Sequence, residues 1–245
     1  MNPVHKSTTP GKYQPAKLTP LQRQALLQKV NDQLPQTQCT RCGYHDCLSY
    51  ARAIVDEHVP INRCQPGGML GIQRLAKVTR QVVTELASDV GQEGPRLLAV
   101  IDEQWCIGCT KCIQVCPVDA IVGASKCMHT VIEDVCTGCE LCIPVCPVDC
   151  IELYPSSSDS PAPTGWAAWS EEQAHLSSER YQRRKARLES QKMAKASRLT
   201  MDSQLANSQE LSPTAFVSHA HTEQDKKVFI SQILAKVRQK SAHQK

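Results

Sequence analysis

Apolar residues recur at helical spacing through Leu26, Leu27, Val30 and Leu34, which predicts an amphipathic helix near the start of the chain. Thr19 and Pro20 supply its opening, a hydroxyl N-cap followed by proline at the first helical position, and Pro35 stops it. A short helix from Leu48 to Val55 comes next, then a turn at Pro66-Gly67-Gly68. Residues Met69 to Leu86 read as another helix, with Leu70, Leu75, Val78, Val82 and Leu86 on its apolar side. The pattern breaks between Gly91 and Pro95. Beyond it the elements shorten: Arg96 to Asp102 (RLLAVID) reads as a strand, as do the segments VDAIVG and VDCIEL farther on. After Tyr154 the stretch PSSSDSPAPTG is a linker by composition. Ser170 with Gln173 resembles a capping box for a charged helix through RYQRRKARLES, and VFISQILAKV, Val228 to Val237, is a separate amphipathic segment. The polar residues 1–18 are expected to be disordered.

Composition narrows this picture. In 245 residues only 4% are aromatic, with Phe216 and Phe229 the two phenylalanines, which argues against a large conventional core. Fourteen cysteines would suit a disulfide scaffold in a short secreted protein, but no signal peptide opens the sequence and the spacings are those of metal ligands. A reducing compartment, the cytoplasm, follows. No stretch approaches the roughly 18 apolar residues that a membrane span needs. Charge is unevenly spread: +5 over residues 1–100, −6 over 101–154 and +5 over 155–245. The acidic middle suits a partner with a basic patch.

That middle contains two copies of one motif, CIGCTKCIQVCPVDAI from Cys106 and CTGCELCIPVCPVDCI from Cys136. Each sets three cysteines at steps of three and a fourth four residues later, followed by proline. This is the bacterial two-cluster ferredoxin run, a standard example of iron–sulfur ligation in which the fourth cysteine ligates the other cluster. Tight steps of three let one turning loop aim three thiolates at three irons, and the fourth cysteine lies beyond that loop's reach. Cys106, Cys109, Cys112 and Cys146 are therefore expected to hold one [4Fe–4S] centre, and Cys116, Cys136, Cys139 and Cys142 another. Pro117 and Pro147 fix φ where each crossing segment leaves its centre. Zinc would use cysteine pairs separated by a longer gap.

A further group, Cys39, Cys42, Cys47 and Cys64, matches no standard zinc finger. Spacing alone leaves a zinc knuckle open, while a chain already committed to cluster chemistry favours iron–sulfur. The residues Pro35-Gln36-Thr37-Gln38-Cys39, Cys42-Gly43-Tyr44, Cys47, Tyr50-Ala51, Ile61-Asn62-Arg63-Cys64 and Pro66-Gly67-Gly68 resemble the four-cysteine domain of the B subunit of the Rnf-type electron transport complex. The ferredoxin part, including VDAIVGASKCMHTVIEDVCTGC, is similar to the same protein, in the same order, over about residues 21–154. The resemblance implies three [4Fe–4S] centres, the first held by Cys39, Cys42, Cys47 and Cys64, relaying electrons between a soluble donor and an ion-translocating membrane complex. Members of that family usually begin with a membrane-spanning helix, which this sequence does not offer. Peripheral association with the cytoplasmic face of the inner membrane is expected instead.

The fold class expected is α+β: a small helical four-cysteine domain (19–90), a ferredoxin-like two-[4Fe–4S] domain (96–154), and a flexible, partly helical tail (155–245). Cys127 and Cys150 remain outside the ligand sets and read as buried structural thiols. Trp105 reads as a packing residue beside Cys106. His5, His45, His58, His129, His175, His219, His221 and His243 show no ligand spacing, and RYQRRKARL reads as a solvated helix face rather than a nucleic-acid contact. No P-loop or dinucleotide fingerprint is present, so the chain by itself reads as an electron carrier whose partners are redox proteins. Two other functions fit these features: a nucleic-acid-associated redox or cluster-donating protein, and a stand-alone ferredoxin serving a soluble oxidoreductase.

Overall fold

The computed structural model describes residues 18–209, with side chains through residue 200. The readings of residues 1–17 and of Val228 to Val237, and those of His5, His219, His221 and His243, lie outside the described residues. Two compact units divide the chain at Ser190, and the sites below all belong to the first.

Helix α1, Pro20–Asp32, opens on a complete capping box: Thr19 Oγ1 accepts from Gln22 N–H at 3.3 Å, and Gln22 Oε1 accepts from Thr19 N–H at 3.0 Å. Helix α2, Cys47–Asp56, is N-capped by buried Asp46, whose carboxylate accepts from Ser49 N–H at 2.7 Å. Helix α3, Gly68–Thr79, stops well short of the predicted Leu86. Arg80 takes the left-handed conformation, φ 58°, with its N–H on Ala76 O, and the following chain crosses to Asn62, whose amide bonds Glu85 O at 2.7 Å. The buried stripe of α3 is Gly71, Ile72, Leu75 and Thr79, whereas Leu70 and Val82, expected on the apolar side, are exposed. Leu27, Val30, Leu34, Tyr50, Ala51, Ile54, Ile61, Ile72 and Leu75 pack into the first core.

The second core is built by two small sheets. Strand β1, Leu97–Ile101, pairs antiparallel with β4, Ile151–Pro155, setting Ala99 opposite Leu153 and Ile101 opposite Ile151. Strand β2, Ile121–Val122, pairs antiparallel with β3, Thr130–Val131, and the short helix α4, Lys111–Val115, lies between β1 and β2 in sequence. The strand entering the first motif thus pairs with the strand leaving the second, which interlocks the two copies. Their backbones repeat at an offset of thirty: Gly108 and Gly138 at φ 68° and 63°, Thr110 and Glu140 at 62° and 64°, Asp119 and Asp149 at 53° and 49°.

The segment read as a linker leads directly into a packed anchor. Trp166 is buried, its indole N–H donates to Gln33 O at 2.6 Å, and the Arg74 guanidinium lies 4.2 Å from its ring centroid. The ring packs closely on Gly71, where a Cβ would stand 3.1 Å from it and the indole would have to shift by a few tenths of an ångström. Helix α5, Glu171–Gln209, starts on the predicted capping box between Ser170 and Gln173, both bonds at 3.0 Å, and buries Ala174, Ser177 and Arg184. Helices with two small two-stranded sheets make the fold α+β.

Candidate metal centres

The first cysteine loop is curled by Gln36, Gln38 and Thr40, alternate residues at φ 56°, 55° and 60°. Buried amides hold this conformation: Gln36 Nε2 donates to Asn31 O at 2.6 Å, Gln38 Nε2 to Gln36 Oε1 at 3.0 Å, and Gln38 Oε1 accepts from Cys47 N–H at 2.9 Å. The returning strand is fixed by Tyr50, whose hydroxyl donates to Pro60 O at 2.8 Å and accepts from Arg63 N–H at 3.1 Å. Arg63 then reaches back to Cys42 O at 3.1 Å while forking onto Asp89 at 2.6 and 3.3 Å. Cys39, Cys42, Cys47 and Cys64 consequently line one small cavity with Leu34, Thr37 and Tyr50. Burial pushes the Cys42, Cys47 and Cys64 thiols up from their ordinary range.

In the second core Cys106, Cys109, Cys112 and Cys146 line a common cavity with Ile101, Val148 and Ile151, and Cys150 lines it too. The other four sulfurs stand together: Cys116 and Cys136 adjoin, and both lie near Cys139 and Cys142. Burial raises Cys139 and Cys142 to about 12 each and also raises Cys112 and Cys116. The grouping is crossed, each fourth cysteine standing with the opposite motif.

The turns after the fourth cysteines explain how. Asp119 and Asp149 are left-handed, which lets the chain double back so that Ala120 N–H points at Cys116 Sγ, 3.2 Å away. In the second copy Cys150 replaces Ala120, and its sulfur lies 3.5 Å from Cys146 Sγ. Burial is the largest influence on Cys146 and opposes ionisation, yet hydrogen bonds from Val148 and Cys150 outweigh it and lower this thiol, while burial and then Cys146 raise Cys150 to about 12.

The donor sets suit iron–sulfur clusters. The two cavities offer thiols in largely apolar walls, four in the first and five with Cys150 in the second, and backbone N–H groups aim at the sulfurs of Cys106 and Cys116. Among the described residues no three His, Cys, Asp or Glu side chains gather as the sphere of a single ion. At Cys42, Cys47, Cys64, Cys112, Cys116, Cys139 and Cys142 burial disfavours the anion, and binding iron would deprotonate these thiols.

The structure also brings up residues that spacing did not reveal. His129 is buried, its Nδ1 3.3 Å from Cys112 Sγ, and its N–H donates to Cys106 Sγ at 3.3 Å. No sequence rule links it to a cysteine seventeen positions away. Thr137 Oγ1 donates to Thr37 O at 3.0 Å, and Arg41 pairs with Glu140 at 2.5 Å, so the first pocket abuts the loop carrying Cys136 and Cys139. From α5, buried Arg184 donates to the carbonyls of Cys116 and Gln114, Arg187 bonds Asp119 at 2.8 Å, and Tyr181 donates to Asp46 at 3.0 Å. One face of RYQRRKARL is thus docked rather than solvated. Of the two spare thiols Cys150 is buried as expected, but Cys127 is exposed. Trp105, expected to pack, is 69% exposed.

Residues 99–153 match the family model of the 4Fe-4S dicluster domain, and residues 34–66 match that of a putative Fe-S cluster. The B subunit of the ion-translocating oxidoreductase complex from Azoarcus sp. (strain BH72) is 55% identical over 130 residues, spanning 53% of this chain and 71% of that protein. The chain belongs to this family. Other members are similarly related: that of Cronobacter sakazakii is 54% identical over 134 residues (54% of this chain, 70% of its own), and that of Klebsiella pneumoniae 52% over 149 (60% and 75%). As in the family, the chemistry is iron–sulfur electron transfer. Among the described residues no helix is long and apolar enough to cross a membrane.

Proposed function

We propose that the chain relays electrons through three [4Fe–4S] centres as the B-type component of an Rnf-like complex. Cys39, Cys42, Cys47 and Cys64 hold the first centre, Cys106, Cys109, Cys112 and Cys146 the second, and Cys116, Cys136, Cys139 and Cys142 the third. The observation that carries this reading is the crossed gathering of the thiols: Cys39, Cys42, Cys47 and Cys64 line one cavity, Cys106, Cys109, Cys112 and Cys146 line another beside Cys150, and Cys116 lies near Cys136, Cys139 and Cys142. When bound, each cluster takes up and passes on one electron at a potential that its surroundings set. The protein's own residues provide the rest: thiolates hold the irons, backbone N–H groups at Cys106 and Cys116 stabilise negative sulfur, and apolar walls limit water.

The relay order follows from contact. Thr37 and Thr137 join the first pocket to the loop of the third centre, and the crossing joins the third to the second. Electrons therefore pass first–third–second, or the reverse. The partners are redox proteins and other subunits of the complex, as the names of the relatives suggest. The place of action is the cytoplasmic face of the membrane.

Anaerobically prepared protein is expected to contain about twelve iron and twelve sulfide per chain, four of each for every complete ligand set. Protein reconstituted with ample iron that stays near eight, with zinc in the remainder, refutes the three-centre reading.

A further inference from the structure

His129 gives the two motifs different electronic surroundings. Its ring is 1% exposed, and its Nδ1 and its backbone N–H reach two sulfurs of the same set, those of Cys112 and Cys106, at 3.3 Å each. The β2–β3 hairpin carries the ring there. Gly123 at φ 145° leaves the space the ring fills, since a Cβ would stand 2.3 Å from its Cδ2. Gly108 likewise lets the hairpin loop lie on the cysteine loop, with Lys126 N–H bonded to Gly108 O at 3.0 Å. In the second copy Cys142 occupies the place of Cys112, and no histidine follows it until His175.

The tautomer is decided by the neighbours. An iron-bound thiolate can only accept, so Nδ1 makes a hydrogen bond to it only by carrying the ring proton. Nε2 is buried with no partner among the described residues. A proton there would leave a buried donor unsatisfied and turn a lone pair toward the thiolate, which costs free energy on both counts.

We propose that His129 is a positioning residue that raises the reduction potential of the centre held by Cys106, Cys109, Cys112 and Cys146, by donating its Nδ1 proton to Cys112 Sγ. The inference rests on the three-centre reading. Reduction adds one electron and places more negative charge on the ligating sulfurs, so a donor fixed at one of them stabilises the reduced form more than the oxidised. The proton stays on Nδ1 throughout, and no bond is made or broken. His129 thereby biases electrons toward this end of the relay.

The test compares wild type with His129→Leu, which keeps bulk and loses the donor, and His129→Asn, whose amide can restore it. Iron and sulfide are counted first; a wild-type chain that binds fewer than three clusters fails the underlying reading before His129 is in question. Redox titrations followed by electron paramagnetic resonance then give each centre's midpoint. The second centre is assigned by the signal lost in Cys106→Ala. In His129→Leu that centre's potential is expected to fall with the other two unmoved, and in His129→Asn to return toward wild type. Unchanged potentials at full iron content overturn the proposal. Loss of the cluster in both variants overturns it too, because it makes His129 a requirement of assembly instead.

Discussion

Cys116 and Cys146 occupy equivalent positions in their motifs, yet each stands in the other motif's pocket, so their substitutions should have exchanged effects. Cys116→Ala is expected to destroy the centre of the second motif and Cys146→Ala that of the first, while exposed Cys127→Ala spares both. Spectra in which each variant loses its own motif's centre would count against the crossing. Cys150→Ala should also retain full iron, because alanine already fills the corresponding place at Ala120. Gly138→Ala is a different case. Its φ is 63°, and a Cβ would lie 2.2 Å from Leu97 O, where neither backbone can yield cheaply. A loss of roughly 1–3 kcal/mol is expected, read as a lower unfolding midpoint and faster iron release. The eight thiols proposed for the second and third centres are marked in sequence by their fixed steps, and the four proposed for the first by the family resemblance. His129, Gln38 and Thr137 carry no such mark, since each acts through a contact made only after folding.

Element boundaries were legible where local chemistry sets them. Thr19, Asp46 and Ser170 cap helices through side chains that bond their own first turns, and two of these caps were apparent as sequence signatures. The end of α3 was not, because nothing in RQVVTEL breaks a helix; Thr79 and Arg80 turn the chain away and Asn62 captures it. The charged start of α5 misled for a related reason. A run of arginines gives no sign of which one will be buried, and only the fold shows Arg184 bridging the carbonyls of Gln114 and Cys116 beside Asp119. Arg184→Ala leaves those carbonyls and the docked helix without their shared donor. A destabilisation of about 2–4 kcal/mol is expected. Arg184→Lys should recover little of it, since one ammonium cannot span both oxygens in the planar fork of a guanidinium. Thermal unfolding of the cluster-loaded variants checks both, with iron retention as the accompanying readout.

Across the whole molecule, the most exposed question is how electrons enter and leave. Residues 101–154 carry a net −6 between flanks that are each +5, and oxidised clusters with four thiolates add about −2 apiece. A partner with a basic docking surface would be steered toward this region and away from the flanks. Added salt shortens the reach of such charges to about 8 Å at physiological ionic strength and about 3 Å at 1 M. The rate of reduction by a basic-patched donor should therefore fall steeply with salt at constant driving force. The basic carboxy-terminal region predicts something separable: attraction to anionic lipid of about 1 kcal/mol for each basic residue close to the surface. A chain ending at Ser190 keeps the first compact unit and every proposed ligand. It is expected to lose salt-reversible binding to anionic vesicles while keeping salt-sensitive electron transfer. Should truncation abolish both, one surface would serve lipid and partner alike, and the acidic middle would not be the docking site; a transfer rate indifferent to salt in the full chain would exclude electrostatic docking altogether.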